Sequence, residues 1–230
     1  MSEVRPLLGR TAIVTGGGRG IGAAIVAALS RAGARVTVFG RTPATLEARV
    51  QAGEAALAVA GDVSREDDVA RLLAAHEAAL GPCDVLVNNA GVLSRALVEE
   101  LTPAEWRAQL EVNLTGAFLC ARAVVPGMKR RGHGRIVNVA SISGTLGGER
   151  SSAYSASKWG LIGLTKCLAE ELRAHGVHCF AVSPGSVDTD MLKQTPFCPD
   201  MTPADVAEVI AWCAGEAPEA MTGANVEVFG

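Results

Sequence analysis

The chain holds 230 residues and 23.6 kDa, and at roughly 150 residues per domain that length favours one sizeable domain spanning 1–230. Apolar residues make up 49% and charged residues 20%, with a mean hydropathy of +0.26, a balance that buries a large core and excludes a disordered chain. The 21 Lys and Arg against 24 Asp and Glu leave a formal charge of −3, which provides no positive field for nucleic acid or an anionic membrane.

From the first strand onward, short β-branched runs alternate with longer Ala- and Leu-rich stretches, the pattern of consecutive βαβ units. Strands are predicted at Arg10–Thr15, Arg35–Phe39, Ala56–Ala60, Asp84–Asn88, Arg135–Ala140, His178–Ser183 and Asn225–Phe229. Between them, apolar residues recur at helical spacing in Ile21–Ala32, Glu66–Leu80, Pro103–Arg131, Ala153–Ala174 and Pro203–Ala214. The expected fold is therefore α/β: a doubly wound, seven-stranded parallel sheet of Rossmann type with helices on both faces. Thr-Pro pairs at Thr42, Thr102 and Thr202 each read as a hydroxyl cap followed by a proline whose missing N–H costs nothing there. The stretch 188–202 carries two prolines and little periodicity, and reads as a mobile substrate loop.

No apolar run reaches the roughly 18 residues of a membrane helix, and Met1–Pro6 lacks the pattern of a signal peptide. A cytoplasmic protein is expected. The six cysteines are scattered without a C-x-x-C pair, which reads as reduced thiols without disulfides. His175, His178 and Cys179 are separated by the helix-breaking Gly176 and have no further thiol or carboxylate at ligand spacing, so no metal site is expected. The basic run Lys129–Arg135 reads as a solvated helix end.

The first strand runs into Thr15-Gly16-Gly17-Gly18-Arg19-Gly20-Ile21-Gly22 and then a helix, the strand, glycine turn and helix of a dinucleotide site. Gly16 turns the chain, Gly20 admits the pyrophosphate, Gly22 lets helix pack on strand, and the helix N-terminus faces the phosphates. An NAD site commonly puts a carboxylate about 20 residues further on; here that place is Gly40, followed by Arg41. With Arg19 in the turn, two guanidiniums suit a 2′-phosphate, so NADP(H) is expected in preference to NAD(H). The competing reading is two arginines projecting into solvent.

Tyr154, the only tyrosine, stands four residues before Lys158 on one helix face. An ammonium beside a phenol, together with an oxidised nicotinamide, is expected to lower its pKa and let the pair move protons; a Tyr-x-x-x-Lys pair alone also fits an ordinary exposed face.

Taken together these motifs resemble the short-chain dehydrogenase/reductase family in its single-domain branch, over almost the whole chain. The resemblance rests on the glycine turn, Asp62 after the third strand, Asn88-Asn89-Ala90-Gly91 after the fourth, Asn113, Ser141 after the fifth, Tyr154-x-x-x-Lys158, and Pro184-Gly185-x-Val187-x-Thr189 after the sixth. Overall the pattern is most similar to 3-oxoacyl-[acyl-carrier-protein] reductases. The resemblance implies that Tyr154 is the acid/base, Ser141 holds the substrate oxygen, Lys158 binds the nicotinamide ribose and depresses the Tyr154 pKa, and Asn113 anchors a proton-relaying water. It further implies cofactor contacts by Gly16, Gly18, Arg19, Gly20, Ile21, Gly22, Arg41, Asp62, Val63, Asn89, Ala90, Gly91, Tyr154, Lys158, Pro184, Gly185, Val187 and Thr189. Without Tyr154 and Lys158, Ser141 and Asn113 would read as groups satisfying backbone.

The expected activity is NADPH-dependent reduction of a ketone, a 3-oxoacyl thioester or a related compound. Two alternatives stand: an NAD(P)-dependent alcohol or sugar dehydrogenase, and a non-catalytic NADP(H)-binding redox sensor. The partner is a small carbonyl or alcohol, and the resemblance implies a homotetramer or homodimer built from Pro103–Arg131 and Ala153–Ala174. The chain is short for the family after Met191 and at its C-terminus, which leads to the expectation of an open site with weak selectivity. Leu93, Ser143, Leu146, Ser186 and Met191 are expected to line the pocket without a fixed cation, which disfavours free keto acids.

Overall fold

The computed structural model describes residues 5–230. The reading of Met1–Pro6 therefore falls mostly on residues outside those described. One parallel sheet runs in the order β3-β2-β1-β4-β5-β6-β7, with β1 Thr11–Thr15, β2 Arg35–Gly40, β3 Leu57–Ala60, β4 Val85–Asn88, β5 Gly134–Val139, β6 Val177–Pro184 and β7 Asn225–Val228. β1, β4 and β6 are buried at every position, because helices cover both faces and leave no polar side to alternate with.

On one face lie α1 Gly20–Arg31, α2 Pro43–Gln51 and α7 Pro203–Gly215, where Ile25, Leu29, Leu46, Val206 and Ile210 form one cluster with Val14, Val38 and Phe180. On the other lie α3 Glu66–Leu80, α5 Gly116–Arg131 and α6 Ser152–Leu172, which pack Leu72, Cys120, Val124 and Leu172 against Ile13, Leu86 and Ile136. Strand β1 sits between β2 and β4, with Val14 beside both Val38 and Val87. There the strand order reverses, and the crevice beyond the carboxyl ends of β1 and β4 is where such sheets take ligands.

The stretch expected as one helix from Pro103 to Arg131 is two. α4 Pro103–Leu110 passes through a wide π turn at Glu111–Thr115 into α5, and this turn carries the buried Asn113. α2, marked in the sequence only by its Thr-Pro start, follows β2. Of the three expected threonine caps, Thr102 forms a capping box with Glu105 and Thr202 one with Asp205, while Thr42 makes no side-chain cap. The basic run closes α5 at Gly132, which adopts φ +64, where cations complement the dipole. All six cysteines are free thiols, and four of them are buried. Among the described residues no helix is long and apolar enough to cross a membrane.

Candidate active site

β1 delivers Thr15 into the turn Gly16–Arg19, and α1 starts at Gly20. Gly16 and Gly20 take φ +65 and +53, a region costly for residues with a Cβ. A Cβ on Gly22 would strike the Gly16 carbonyl and the Asn89 amide, so helix and strand approach closely only because it is absent. Asn89 locks this geometry: its Nδ2 donates to the carbonyls of Thr15 at 3.0 Å and Gly16 at 3.1 Å. Thr15 Oγ1 in return accepts from the backbone N–H groups of Asn89 and Ala90. Arg19, at the N-cap of α1, offers no side-chain acceptor, which leaves the first-turn N–H groups to a ligand.

Around this turn the structure gathers the expected contacts at the carboxyl ends of the strands. Arg19 and Arg41 are exposed, the latter immediately after β2. After β3, Asp62 accepts from the N–H and hydroxyl of Ser64, and Val63 is buried against Gly116. After β4, Gly91 lies beside Asn113 and the Lys158 ammonium. After β6, Gly185 donates to Val228, Val187 bridges to Met201, and the Thr189 methyl approaches Gly20.

At the end of β5, Ser141 accepts from Ser143 N at 3.1 Å, and its hydroxyl draws the pKa of the Tyr154 phenol down. Tyr154 is half-buried on α6, one turn before Lys158. The Lys158 ammonium is buried, donates to the Val139 carbonyl at 2.7 Å, and stands 5.7 Å from the centre of the Tyr154 ring. Burial lowers the Lys158 pKa to about 8. In the chain alone, without a nicotinamide cation, the Tyr154 pKa stands above its ordinary value. Burial raises that pKa, the Ser141 hydroxyl offsets it only in part, and the ammonium is engaged with Val139.

Asn113 is 1% exposed. Its Oδ1 accepts from Val92 N, and its Nδ2 donates to Val92 O and to Ser157 Oγ; Ser157 in turn donates to the Tyr154 carbonyl at 2.6 Å. The π turn thus ties the loop after β4 to the helix that carries Tyr154 and Lys158. Ser157 was missed from the sequence, although its i+3 spacing from Tyr154 is the signal that finds it.

Three loops meet over this floor. The neck of the loop 188–200 is fastened by Asp188 N on Met201 O and by Asp200 N on Ser186 O, both at 2.9 Å. Its Phe197 ring lies 5.9 Å from the Arg95 guanidinium. Arg95, in the loop after β4, also donates to Glu149 O at 3.1 Å and Ser151 Oγ at 3.4 Å. No spacing marks Arg95, because its partners come 54 and 56 residues later.

The profile of the short chain dehydrogenases matches residues 10–196. The acetoacetyl-CoA reductase of Shinella zoogloeoides is 37% identical over 97% of this chain and 98% of its own length. A 3-oxoacyl-[acyl-carrier-protein] reductase of Synechocystis is 36% identical over 97% of each chain. The crystal structure of a chain assigned as a gluconate dehydrogenase from Agrobacterium tumefaciens superposes with a TM-score of 0.91 at 31% identity, covering 98% of this chain and 97% of that one. With its Rossmann-type sheet and these relatives, the chain is an NAD(P)-dependent oxidoreductase acting on CH–OH and C=O groups, and it belongs to the short-chain dehydrogenase family.

Proposed function

We propose that the chain, working as one dinucleotide-binding domain, reduces a ketone with NADPH and that Tyr154 donates the proton. The observation that carries this reading is the buried Lys158 ammonium, fixed on Val139 at the end of β5 and 5.7 Å from the Tyr154 ring, with the Ser141 hydroxyl acting on the same phenol. A dinucleotide fits the residues present: the bare turn at Gly16–Gly20, the uncapped α1 N-terminus and the two exposed arginines suit a pyrophosphate and a 2′-phosphate. Bound NADPH would supply the hydride.

The protein's own part follows from charge. Negative charge grows on the carbonyl oxygen as hydride arrives, and two preorganised hydroxyl donors stabilise it there. Ser141 holds the oxygen, and Tyr154 passes its proton as general acid. Lys158 holds the nicotinamide ribose and favours the tyrosinate left behind. Asn113, through Ser157, fixes the Tyr154 backbone and lies where a relaying water would be held. Gly16, Gly18, Gly20, Ile21 and Gly22 would face the pyrophosphate, Arg19 and Arg41 the 2′-phosphate. Asp62, Val63, Asn89, Ala90 and Gly91 would line the adenosine, and Pro184, Gly185, Val187 and Thr189 the carboxamide.

The relatives named for acetoacetyl-CoA and 3-oxoacyl-[acyl-carrier-protein] reduction favour a 3-oxoacyl thioester or a similar ketone. The resemblance to a gluconate dehydrogenase supports a second reading, alcohol oxidation by the same residues in reverse. Exposed Trp106, Phe118 and Trp159 on α4, α5 and α6 suit a homodimer or homotetramer, and six free thiols suit the cytoplasm. Initial rates of NADPH and NADH oxidation with acetoacetyl-CoA and ethyl acetoacetate test the proposal. Fast NADPH-linked turnover supports it. Silence with both ketones, alongside NADP+-dependent oxidation of secondary alcohols, transfers the reading to the dehydrogenase.

A further inference from the structure

Arg95, on the loop after β4, is held by residues of the loops that follow β5 and β6. Its own loop is rigid. Asn113 clamps both the N–H and the carbonyl of Val92, and the buried Gln109 accepts from Ser94 N at 3.1 Å and donates to Ser94 Oγ at 3.1 Å. Ala96 N donates to Arg150 O at 3.2 Å, and Arg150 holds φ +60, a conformation uncommon for a residue with a side chain.

The guanidinium itself is half-buried and faces only neutral partners. They are the Glu149 carbonyl, the Ser151 hydroxyl and the Phe197 ring, and no carboxylate pairs with Arg95 among the described residues. An arginine carries five N–H donors in a fixed fork, and the two protein acceptors leave the others free. The cation is thus oriented by neutral partners and lacks a counter-ion among the described residues. It sits on the segment that begins at Gly91, beside the Lys158 ammonium, and it is roofed by the loop that follows β6.

We propose that Arg95 recognises an oxyanion carried by the substrate, a carboxylate or a phosphate remote from the reacting carbon, and so sets the substrate class of the site as anionic carbonyl compounds or alcohols. This rests on the reductase reading above. A charge-assisted fork–fork contact adds orientation as well as affinity, and the Phe197 ring, 5.9 Å away, helps to fix the plane of the cation. The 2′-phosphate of the cofactor is not the group in question, since Arg19 and Arg41 stand at the ends of β1 and β2.

The test compares pairs of substrates with and without the anion: 4-oxocyclohexanecarboxylate against its methyl ester, and acetoacetyl-4′-phosphopantetheine against acetoacetyl-pantetheine. A carboxylate site gives an acid-to-ester ratio in kcat/KM of about tenfold or more, and a phosphate site gives that ratio in the thioester pair. In Arg95→Gln the preferred ratio falls to near one, and Arg95→Lys restores part of it. Equal losses within each pair would mark Arg95 as a loop brace and overturn the proposal, as would ratios near one in the wild type. Turnover of the neutral ester, by itself, reports on the reductase reading alone. Should no compound of the panel turn over, titration of the NADP+ complex with cyclohexanecarboxylate, cyclohexanecarboxamide and inorganic phosphate reads the site without chemistry. Arg95-dependent binding of either anion over the amide supports the proposal, and equal binding of all three contradicts it.

Discussion

The Lys158 ammonium donates to the carbonyl of Val139, the last residue of β5, at 2.7 Å. This one bond aims a buried cation at the switch-point crevice and holds it beside Tyr154, where a cofactor ribose would offer further oxygens. Burial holds its pKa down to about 8, so the chain alone carries the charge below that pH and loses it above. The affinity for NADPH is therefore expected to be constant at neutral pH and to weaken by up to tenfold per unit above about pH 8. Fluorescence titration from pH 6.5 to 9.5 checks this, and Lys158→Met should bind more weakly without that pH dependence.

Arg41 follows β2 where NAD sites commonly place a carboxylate. NADPH should bind more tightly than NADH by roughly tenfold to hundredfold, the worth of one or two charge-assisted contacts. Arg41→Ala should remove most of that difference while leaving NADH affinity nearly unchanged. Calorimetric titration in moderate salt decides it; similar dissociation constants in the wild type would show that both arginines only face solvent.

Gly22 packs where a Cβ would meet the Gly16 carbonyl and the Asn89 amide. Gly22→Ala is expected to cost about 1–3 kcal/mol through overpacking, and to weaken cofactor binding by distorting the turn that Asn89 holds. Urea denaturation and NADPH titration of the same variant measure the two effects.

His76 is fully buried on α3, with Nδ1 2.7 Å from Thr37 Oγ1 and Nε2 3.3 Å from Thr11 Oγ1. Desolvation lowers its pKa to about 4, against the partial opposition of Asp84. Between pH 6.5 and 4 the unfolded chain binds the proton that the folded chain refuses, so this contribution to stability is present above pH 6.5 and is lost as the pH falls towards 4. The urea midpoint should drop across that window, and the His76 ring should remain neutral by NMR at pH 5.5.

The sheet was readable because each buried strand is a short apolar run and each crossover has helical spacing; β4 and β6 needed no further clue. Ser141, Tyr154 and Lys158 were readable from their types and order, and the structure brings them together at the end of β5. What escaped depends on contacts distant in sequence. Asn89 was expected to face the cofactor, yet its amide also braces a turn 73 and 74 residues earlier. The π turn at Glu111–Thr115 is one wide turn inside a continuous helical run, too short for the apolar spacing to mark it. Arg95 depends on partners in two other loops, and Lys158 turned to Val139 because the nearest acceptor for a buried ammonium is the strand end beneath it.

The central claim, that Tyr154 gives the proton to a ketone reduced by NADPH, meets its most direct test in Tyr154→Phe assayed for turnover and for NADPH binding together. The expected result is a loss of about 100-fold to 10,000-fold in kcat, typical of a removed general acid, with the NADPH dissociation constant changed by less than about threefold. Turnover retained in Tyr154→Phe, at a rate near that of the wild type, would contradict it.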